Sequence, residues 1–288
     1  MNAGVIYVAT GEKYVLEACK SATRLKEVMP SIPITFFTDK EILSKAFEKV
    51  EIIEPFHKRS KIPCLVKSPY EQTLYLDSDT YVTDDLSELF QLLDRFDIAL
   101  VQSPCGEKYE IKGIPDCFPE FNSGVILYKK TSKVYDLFRT WKTLYERDLL
   151  NSEQLVKPQE GCLQDQATFK EAIYYSELRI ATLPPEYNCS INNPGRLLGK
   201  VKILQGRHPS FPSLARKMNK KLGERVHIRQ SETKMMIVHR KRYFPWRLKL
   251  ERLRDSLKKR GLINTISHIA SNKIFPHLFP IRKSPNRK

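Results

Sequence analysis

The chain is expected to fold as α/β, with a mostly parallel central sheet flanked by helices. Three observations lead there. Short apolar runs recur at Val5–Ala9, Ile34–Thr38, Val50–Ile53, Thr73–Leu76 and Ile98–Gln102. Stretches of helical character separate them, and strands alternating with helices build a sheet from parallel crossover units. Polar residues close three of the runs: Thr10, Asp39 and the pair Asp77/Asp79. Ligands of such sheets bind beyond the carboxyl ends of the strands, so these residues outline one crevice.

Each element has its own signal. After Val5–Ala9, the positions Val15, Ala18, Cys19, Ala22, Leu25 and Val28 form one stripe, which predicts a helix over Tyr14–Met29, closed by Pro30 and Pro33. Ile34–Thr38 is the second strand. A short helix is expected at Glu41–Phe47, a third strand at Val50–Ile53 and a helix at Lys61–Ser68. The fourth strand runs into Asp77. Asp84 and Asp85 cap a helix reaching Phe96, and Ile98–Gln102 is the fifth strand. Gly106–Pro119 reads as a loop with the character of a lid. Phe121–Tyr128 is an apolar strand opened by the polar Asn122-Ser123-Gly124, and Ser132–Leu149 is a helix. A second helix opens at Gly161–Gln166 and runs to Tyr175; Asp165 also fits a plain helix cap. Strands at Ile180–Leu183, Val201–Leu204, Val226–Arg229 and Met235–His239 follow.

The chemistry centres on Leu74-Tyr75-Leu76-Asp77-Ser78-Asp79. Two carboxylates this close repel each other, and a divalent cation relieves the repulsion. A hard cation held by one or two carboxylates, with phosphate oxygens completing its shell, describes a nucleoside-diphosphate site. The pair also fits an Asx turn, or the strand-end carboxylates of an aspartyl-phosphate phosphatase. An EF-hand is excluded, because Tyr81 and Val82 stand where an oxygen ligand and a glycine are required.

Hydrophobic residues at 41% and charged residues at 28% suit a soluble globular protein. The net charge of +16 is unevenly placed: Arg240–Lys288 holds 15 Lys/Arg against Glu251 and Asp255, so the body before it is nearly neutral. Within that tail Trp246, Leu250, Leu253 and Leu257 recur at helical spacing among basic residues, the pattern of an amphipathic helix lying on an anionic membrane. A helix packed on the body and a nucleic-acid arm are the alternatives, and no nucleic-acid recognition motif accompanies the tail. The expected division is a catalytic body, residues 1–240, and a membrane-association segment, residues 241–288. Six cysteines lack metal-ligand spacing and read as reduced thiols, with Cys105 and Cys117 near enough in sequence to pair. The N-terminus has no basic n-region, and its apolar run is too short for a signal peptide. The expected location is the cytoplasm, peripheral on the cytosolic face of a membrane.

The ordered set of Thr10, Phe36-Phe37-Thr38-Asp39, Leu74–Asp79, Phe121–Val125, Asp165-Gln166 and Leu183–Asn188 resembles the GT-A glycosyltransferases, particularly the glycogenin-like and lipopolysaccharide-galactosyltransferase-like family 8. The resemblance spans roughly residues 4–208. It implies a nucleotide-sugar donor, usually UDP-linked, and Mn²⁺ or Mg²⁺. By the same resemblance Thr10 and Asp39 contact the nucleoside, Asp77 the ribose and metal, and Asp79 the metal. Ser78 joins the substrate-binding set, and Lys61 or Lys67 faces the diphosphate. Asn122 and Ser123 line the donor sugar, Asp165 binds sugar hydroxyls, and Gln166 sits near the anomeric carbon. Gln205 stands where the family usually places a metal-binding histidine; His208 is the candidate substitute, with His239 a second. The implied reaction is retaining transfer of a hexose to a lipid- or glycan-linked hydroxyl. Its rivals are a metal-dependent phosphatase or phosphotransferase, and a GT-A-like membrane-bound scaffold with a weakened site.

Overall fold

A computed structural model describes residues 2–103, 109–153 and 165–239. The body begins with β1 (Ala3–Ala9), α1 (Glu12–Val28), β2 (Ile34–Thr38) and β3 (Lys49–Ile52). Next come α2 (Lys61–Cys64), tightening into a 3-10 turn at Leu65–Lys67, then β4 (Gln72–Leu76) and β5 (Thr80–Val82). α3 (Ser87–Phe90) also tightens, over Gln91–Asp94, before β6 (Ile98–Gln102). β7 (Phe121–Lys129), α4 (Ser132–Glu153), α5 (Asp165–Tyr174) and β8 (Ile180–Leu183) complete the main layers. The remaining elements are β9 (Cys189–Ser190), β10 (Gly195–Leu197), β11 (Ile203–Gln205), α6 (Phe211–Asn219), β12 (Arg225–Arg229) and β13 (Met235–His239).

Seven strands form the central sheet in the order β3-β2-β1-β4-β7-β6-β8. All run parallel except β7, which is antiparallel to both β4 and β6. Side chains alternate across each strand, so every strand feeds two cores. Val5, Tyr7, Leu74 and Leu76 pack toward α1, while Ile6, Tyr75, Ile126 and Tyr128 pack toward α4 and α5. Burial on both faces is why these strands read as unbroken apolar runs. Trp141 of α4 is fully buried and packs at a tilt against Phe169 of α5, with ring centroids 4.4 Å apart.

The reversed β7 has a consequence for the crevice. Its N-terminal end lies beside the carboxyl end of β4, where the Asp77 N–H donates to the Gly124 carbonyl at 2.8 Å. The β6–β7 register breaks, with Leu100 opposite Ile126 and Val101 opposite Asn122. Ser123 and Gly124 are thereby released from β6. A smaller sheet, β5-β11-β9, closes the other side of the crevice.

Three expected elements differ. The helix at Glu41–Phe47 is absent. Leu43 is exposed while Ala46 and Phe47 are buried, and Phe47 stacks on Phe36 at 4.7 Å. Seven residues with an apolar face at one end cannot repay helix nucleation. The helix at Lys61–Ser68 is one α-turn and one 3-10 turn, and the helix to Phe96 ends at Asp94. Cys117 is a free, exposed thiol. Cys105, the 161–164 helix opening and the whole 241–288 segment lie outside the described residues.

Candidate active site

A cavity of about 610 Å³ opens at the carboxyl ends of β1 and β4. Thr10, Lys61, Asp77, Ser78 and Asp79 line it, joined by Arg59 and Arg207. The turn carrying the two acids is fixed from below. Thr80 donates from both its N–H and its Oγ1 to the Asp77 carbonyl, at 3.2 and 2.8 Å. Its hydroxyl also meets Ser21 Oγ at 2.9 Å, which in turn meets the buried Tyr7 hydroxyl at 3.0 Å.

Asp77 is the better compensated of the pair. Its Oδ1 accepts from the Tyr75 hydroxyl at 2.5 Å and from Lys61 Nζ at 3.4 Å, and its Oδ2 accepts from Gln205 Nε2 at 3.0 Å. Burial, with Asp77 alongside, keeps the Tyr75 phenol well above its usual pKa, so it stays a donor. Asp79 is different. Burial, together with the charge of Asp77, pushes its carboxyl up to about 6, against a weaker opposing pull from Arg207. That unmatched negative potential is what a cation would relieve.

Lys61 is the hub of the floor. Its Nζ reaches Ser123 Oγ at 2.9 Å, the Ser123 carbonyl at 3.1 Å and Asp165 Oδ2 at 3.0 Å. Burial pulls its pKa down, but Asp165 and Asp77 outweigh this and hold it above the usual lysine value. Asp165 is itself buried. Its Oδ2 also accepts from Ser123 Oγ at 2.9 Å, and its Oδ1 lies 2.8 Å from Arg59 Nε, an ion pair without a well-aligned hydrogen bond. Burial would raise this carboxyl; Lys61 and then Arg59 hold it below the ordinary range. Asp165 therefore supports the floor of the cavity, its oxygens meeting Lys61, Arg59 and Ser123. Gln166 accepts from the Ser123 N–H at 3.1 Å, and Asn122 Oδ1 accepts from Gly124 N at 2.7 Å and Asn188 Nδ2 at 2.9 Å.

At the opposite end, Thr10 Oγ1 lies 3.2 Å from Ser60 Oγ. Both Asp39 oxygens accept from the Gly11 N–H at 3.0 Å, fixing a turn that needs glycine at φ 84°. Lys67 is not brought into the site: it is exposed on the 3-10 turn past α2, away from the cavity lining. His208 lines a neighbouring cavity of about 570 Å³ that shares Ser78, Asp79 and Arg207. Its Nδ1 accepts from Ser210 N at 3.0 Å. No group of three His, Cys, Asp or Glu positioned for a metal occurs among the described residues. The oxygen set present does fit a hard cation: Asp77, Asp79, and Gln205 Oε1, which is buried without a hydrogen-bond partner.

Arg59 and Arg207 carry no sequence motif. Arg207 pairs with Glu17 at 2.7 and 2.8 Å and approaches Asp79 at 3.9 Å. The basic run Lys58-Arg59-Ser60-Lys61 ahead of α2 was the available signal for Arg59.

No protein-family model matches the chain, and neither does any curated protein sequence. Solved structures do. The glycosyltransferase GlyE of Streptococcus pneumoniae TIGR4 is 19% identical over 66% of this chain and 47% of its own, with a TM-score of 0.46, so the chain spans about half of that protein. The galactosyltransferase LgtC, crystallised with donor and acceptor sugar analogues, is 15% identical over 75% of this chain and 94% of its own, with a TM-score of 0.50. An active-site mutant of LgtC matches equally, at 15% identity and a TM-score of 0.50. The likeness to LgtC is one of architecture, and it identifies the fold of this chain as GT-A, the fold of nucleotide-sugar glycosyltransferases.

Proposed function

We propose that the chain is a metal-dependent, retaining glycosyltransferase that moves a hexose from a UDP-sugar to a hydroxyl on a glycan- or lipid-linked acceptor. The observation that carries this reading is the cavity in which Asp77 and Asp79 face Lys61 and Arg207 at the carboxyl ends of the strands. Thr10 and Asp39 take the nucleoside end, and Ser78 adds a hydroxyl between the acids. Asp77, Asp79 and Gln205 Oε1 would hold Mn²⁺ or Mg²⁺. When bound, that ion supplies charge neutralisation on the departing diphosphate. Arg207 meets the same developing charge from the protein side. Asn122 and Ser123 orient the sugar, and Gln166 flanks its transferring carbon.

Retention is supported by Gln166, which stands at the position the resemblance places beside the anomeric carbon. Among the described residues the carboxylates lining the cavity are Asp77 and Asp79, and Asp165 beneath is held in ion pairs. An inverting reaction needs a free carboxylate base beside the acceptor hydroxyl. The basic segment 241–288 is proposed to hold the protein on the cytosolic face of a membrane; among the described residues no helix is long and apolar enough to cross one.

The test is a thermal-shift screen of UDP and UDP-hexoses with and without Mn²⁺, followed by donor-hydrolysis assays. A Mn²⁺-dependent shift with UDP and release of free hexose are expected. Stabilisation by no nucleotide, or turnover of phosphate esters alone, would end the proposal.

A further inference from the structure

The cations of the cavity floor are matched by acids: Lys61 by Asp165 and Asp77, and Arg207 by Glu17. Its rim is not. Residues 57–59 line the same cavity, and Lys58 is exposed with no ion pair among the described residues. Arg59 meets Asp165 with its Nε at 2.8 Å, and its two terminal amino groups make no hydrogen bond among the described residues. His57 stands at φ 45°, the one non-glycine residue with positive φ among the described residues. A side chain held in that region costs on the order of 1 kcal/mol and needs surroundings that fix it. Here the fixing contact is the buried Tyr145 hydroxyl, 3.0 Å from His57 Nδ1. When Tyr145 donates to Nδ1, the ring proton sits on Nε2 and the imidazole offers a donor outward.

The position of this rim sets its role. Tyr145 lies one turn beyond Trp141, whose Nε1 donates to the Asp165 carbonyl at 3.1 Å. His57 is therefore on the side of α4 and α5, where Asp165 and Gln166 mark the sugar-transfer end. The segment also adjoins Thr10, whose Oγ1 lies 3.2 Å from Ser60 Oγ, so the rim runs along the cavity from Thr10 to Asp165. Three donors at consecutive positions, one a planar fork, match the oxygens of a phosphate.

We propose that His57, Lys58 and Arg59 recognise an anionic group on the acceptor, so that the sugar is transferred to a hydroxyl compound that carries a phosphate. The proposal rests on the glycosyl-transfer reading above. Its occupant is the acceptor and not the donor, because the donor diphosphate is already served by Asp77, Asp79 and Arg207.

Isothermal titration of the full chain, saturated with UDP and Mn²⁺, tests this with glucose 6-phosphate against methyl glucoside. The phosphorylated sugar is expected to bind at least tenfold more tightly. The variant His57→Asn/Lys58→Gln keeps a residue suited to positive φ and should abolish the preference, with UDP affinity unchanged within twofold; Lys58→Arg should retain it. A polyprenyl-phosphate-linked sugar in detergent micelles separates the sources: binding tighter than glucose 6-phosphate assigns a lipid carrier, and equal binding a phosphorylated glycan. Equal affinity for the two soluble sugars overturns the proposal. So does a parallel loss of UDP binding in the double variant, which would return the rim to the donor. If UDP itself does not bind, the glycosyl-transfer reading falls, and the same titrations on the unliganded chain still decide whether the rim selects phosphate.

Discussion

Gln205 donates its Nε2–H to Asp77 Oδ2 at 3.0 Å and leaves its Oε1 buried without a partner. The β5–β11 pairing causes this, because Gln205 sits opposite Thr80, just past the two acids. The side chain lies flat against Gly124, where an added Cβ would fall 2.1 Å from Gln205 Nε2. Gly124 is thus required by the Gln205 side chain above it and not by its own backbone. Gly124→Ala should fold, since a flexible side-chain end can move, but it should displace Gln205. Its Mn²⁺ affinity should fall about tenfold, as in Gln205→Ala, and the double variant should be no worse than either single one. Titration of Mn²⁺ against the thermal shift measures all three, and additive losses would show that the two residues act separately.

Lys61 compensates two acids at once, 3.0 Å from Asp165 and 3.4 Å from Asp77. Lys61→Ala leaves the buried Asp165 without its largest counter-charge and the half-buried Asp77 without its ion pair. Removing one partner of a buried pair costs about 3–5 kcal/mol. Urea unfolding is expected to show a loss of that size, and Lys61→Ala/Asp165→Asn should recover a substantial part of it. An exposed pair would change stability by less than about 1 kcal/mol, an outcome that would place Lys61 in solvent.

The strands and the acid pair were legible because their signals are local. Val5–Ala9 and Ile98–Gln102 are apolar over a strand's length, and Asp77-Ser78-Asp79 stands at a strand end. Lys61 was legible only as one of two lysines on a helix face. The choice against Lys67 depends on α2 tightening into a 3-10 turn that leaves Lys67 in solvent. Asp165 reads equally as a cap or a sugar ligand in sequence. Its role as a buried counter-ion follows from Arg59 and Lys61, distant in the chain and joined to it only by the fold. The antiparallel direction of β7 leaves no mark in its apolar run, yet that direction brings Ser123 and Gly124 to the site.

The basic segment should bind membrane by charge first. Each lysine or arginine near an anionic surface contributes about 1 kcal/mol at low salt. Replacing Arg247, Lys249, Arg252 and Lys259 with glutamine should weaken binding to phosphatidylserine vesicles about a thousandfold. Binding of the unaltered chain should itself fade as salt shortens the screening length. Co-sedimentation with anionic and with neutral vesicles reads both effects. Equal pelleting with neutral vesicles would remove the electrostatic account, whereas the UDP-dependent shift should be untouched in the fourfold variant.

Asp79 gives the metal-free chain an unusual pH dependence. Its carboxyl is raised by burial and by Asp77 to about 6, from an ordinary 3.8. Between those values the folded chain binds more protons than the unfolded one, so stability falls as pH rises and the cost is complete above about 6. A shift of this size corresponds to about 3 kcal/mol. Asp165 acts in the opposite sense. Its pKa is depressed on folding, so its contribution is present above its ordinary value and is lost as pH falls toward and below it. The metal-free melting temperature should therefore be higher near pH 5 than at pH 7, and drop again in stronger acid. Asp79→Asn should flatten the slope between pH 4 and 6 and raise the melting temperature at pH 7. Mn²⁺ requires the ionised acid, so its stabilising effect on the unaltered chain should appear only as pH rises through about 6. A metal-free melting temperature that climbs steadily from pH 5 to 7 would mean that Asp79 is already paired, leaving no unmatched charge for a cation to relieve.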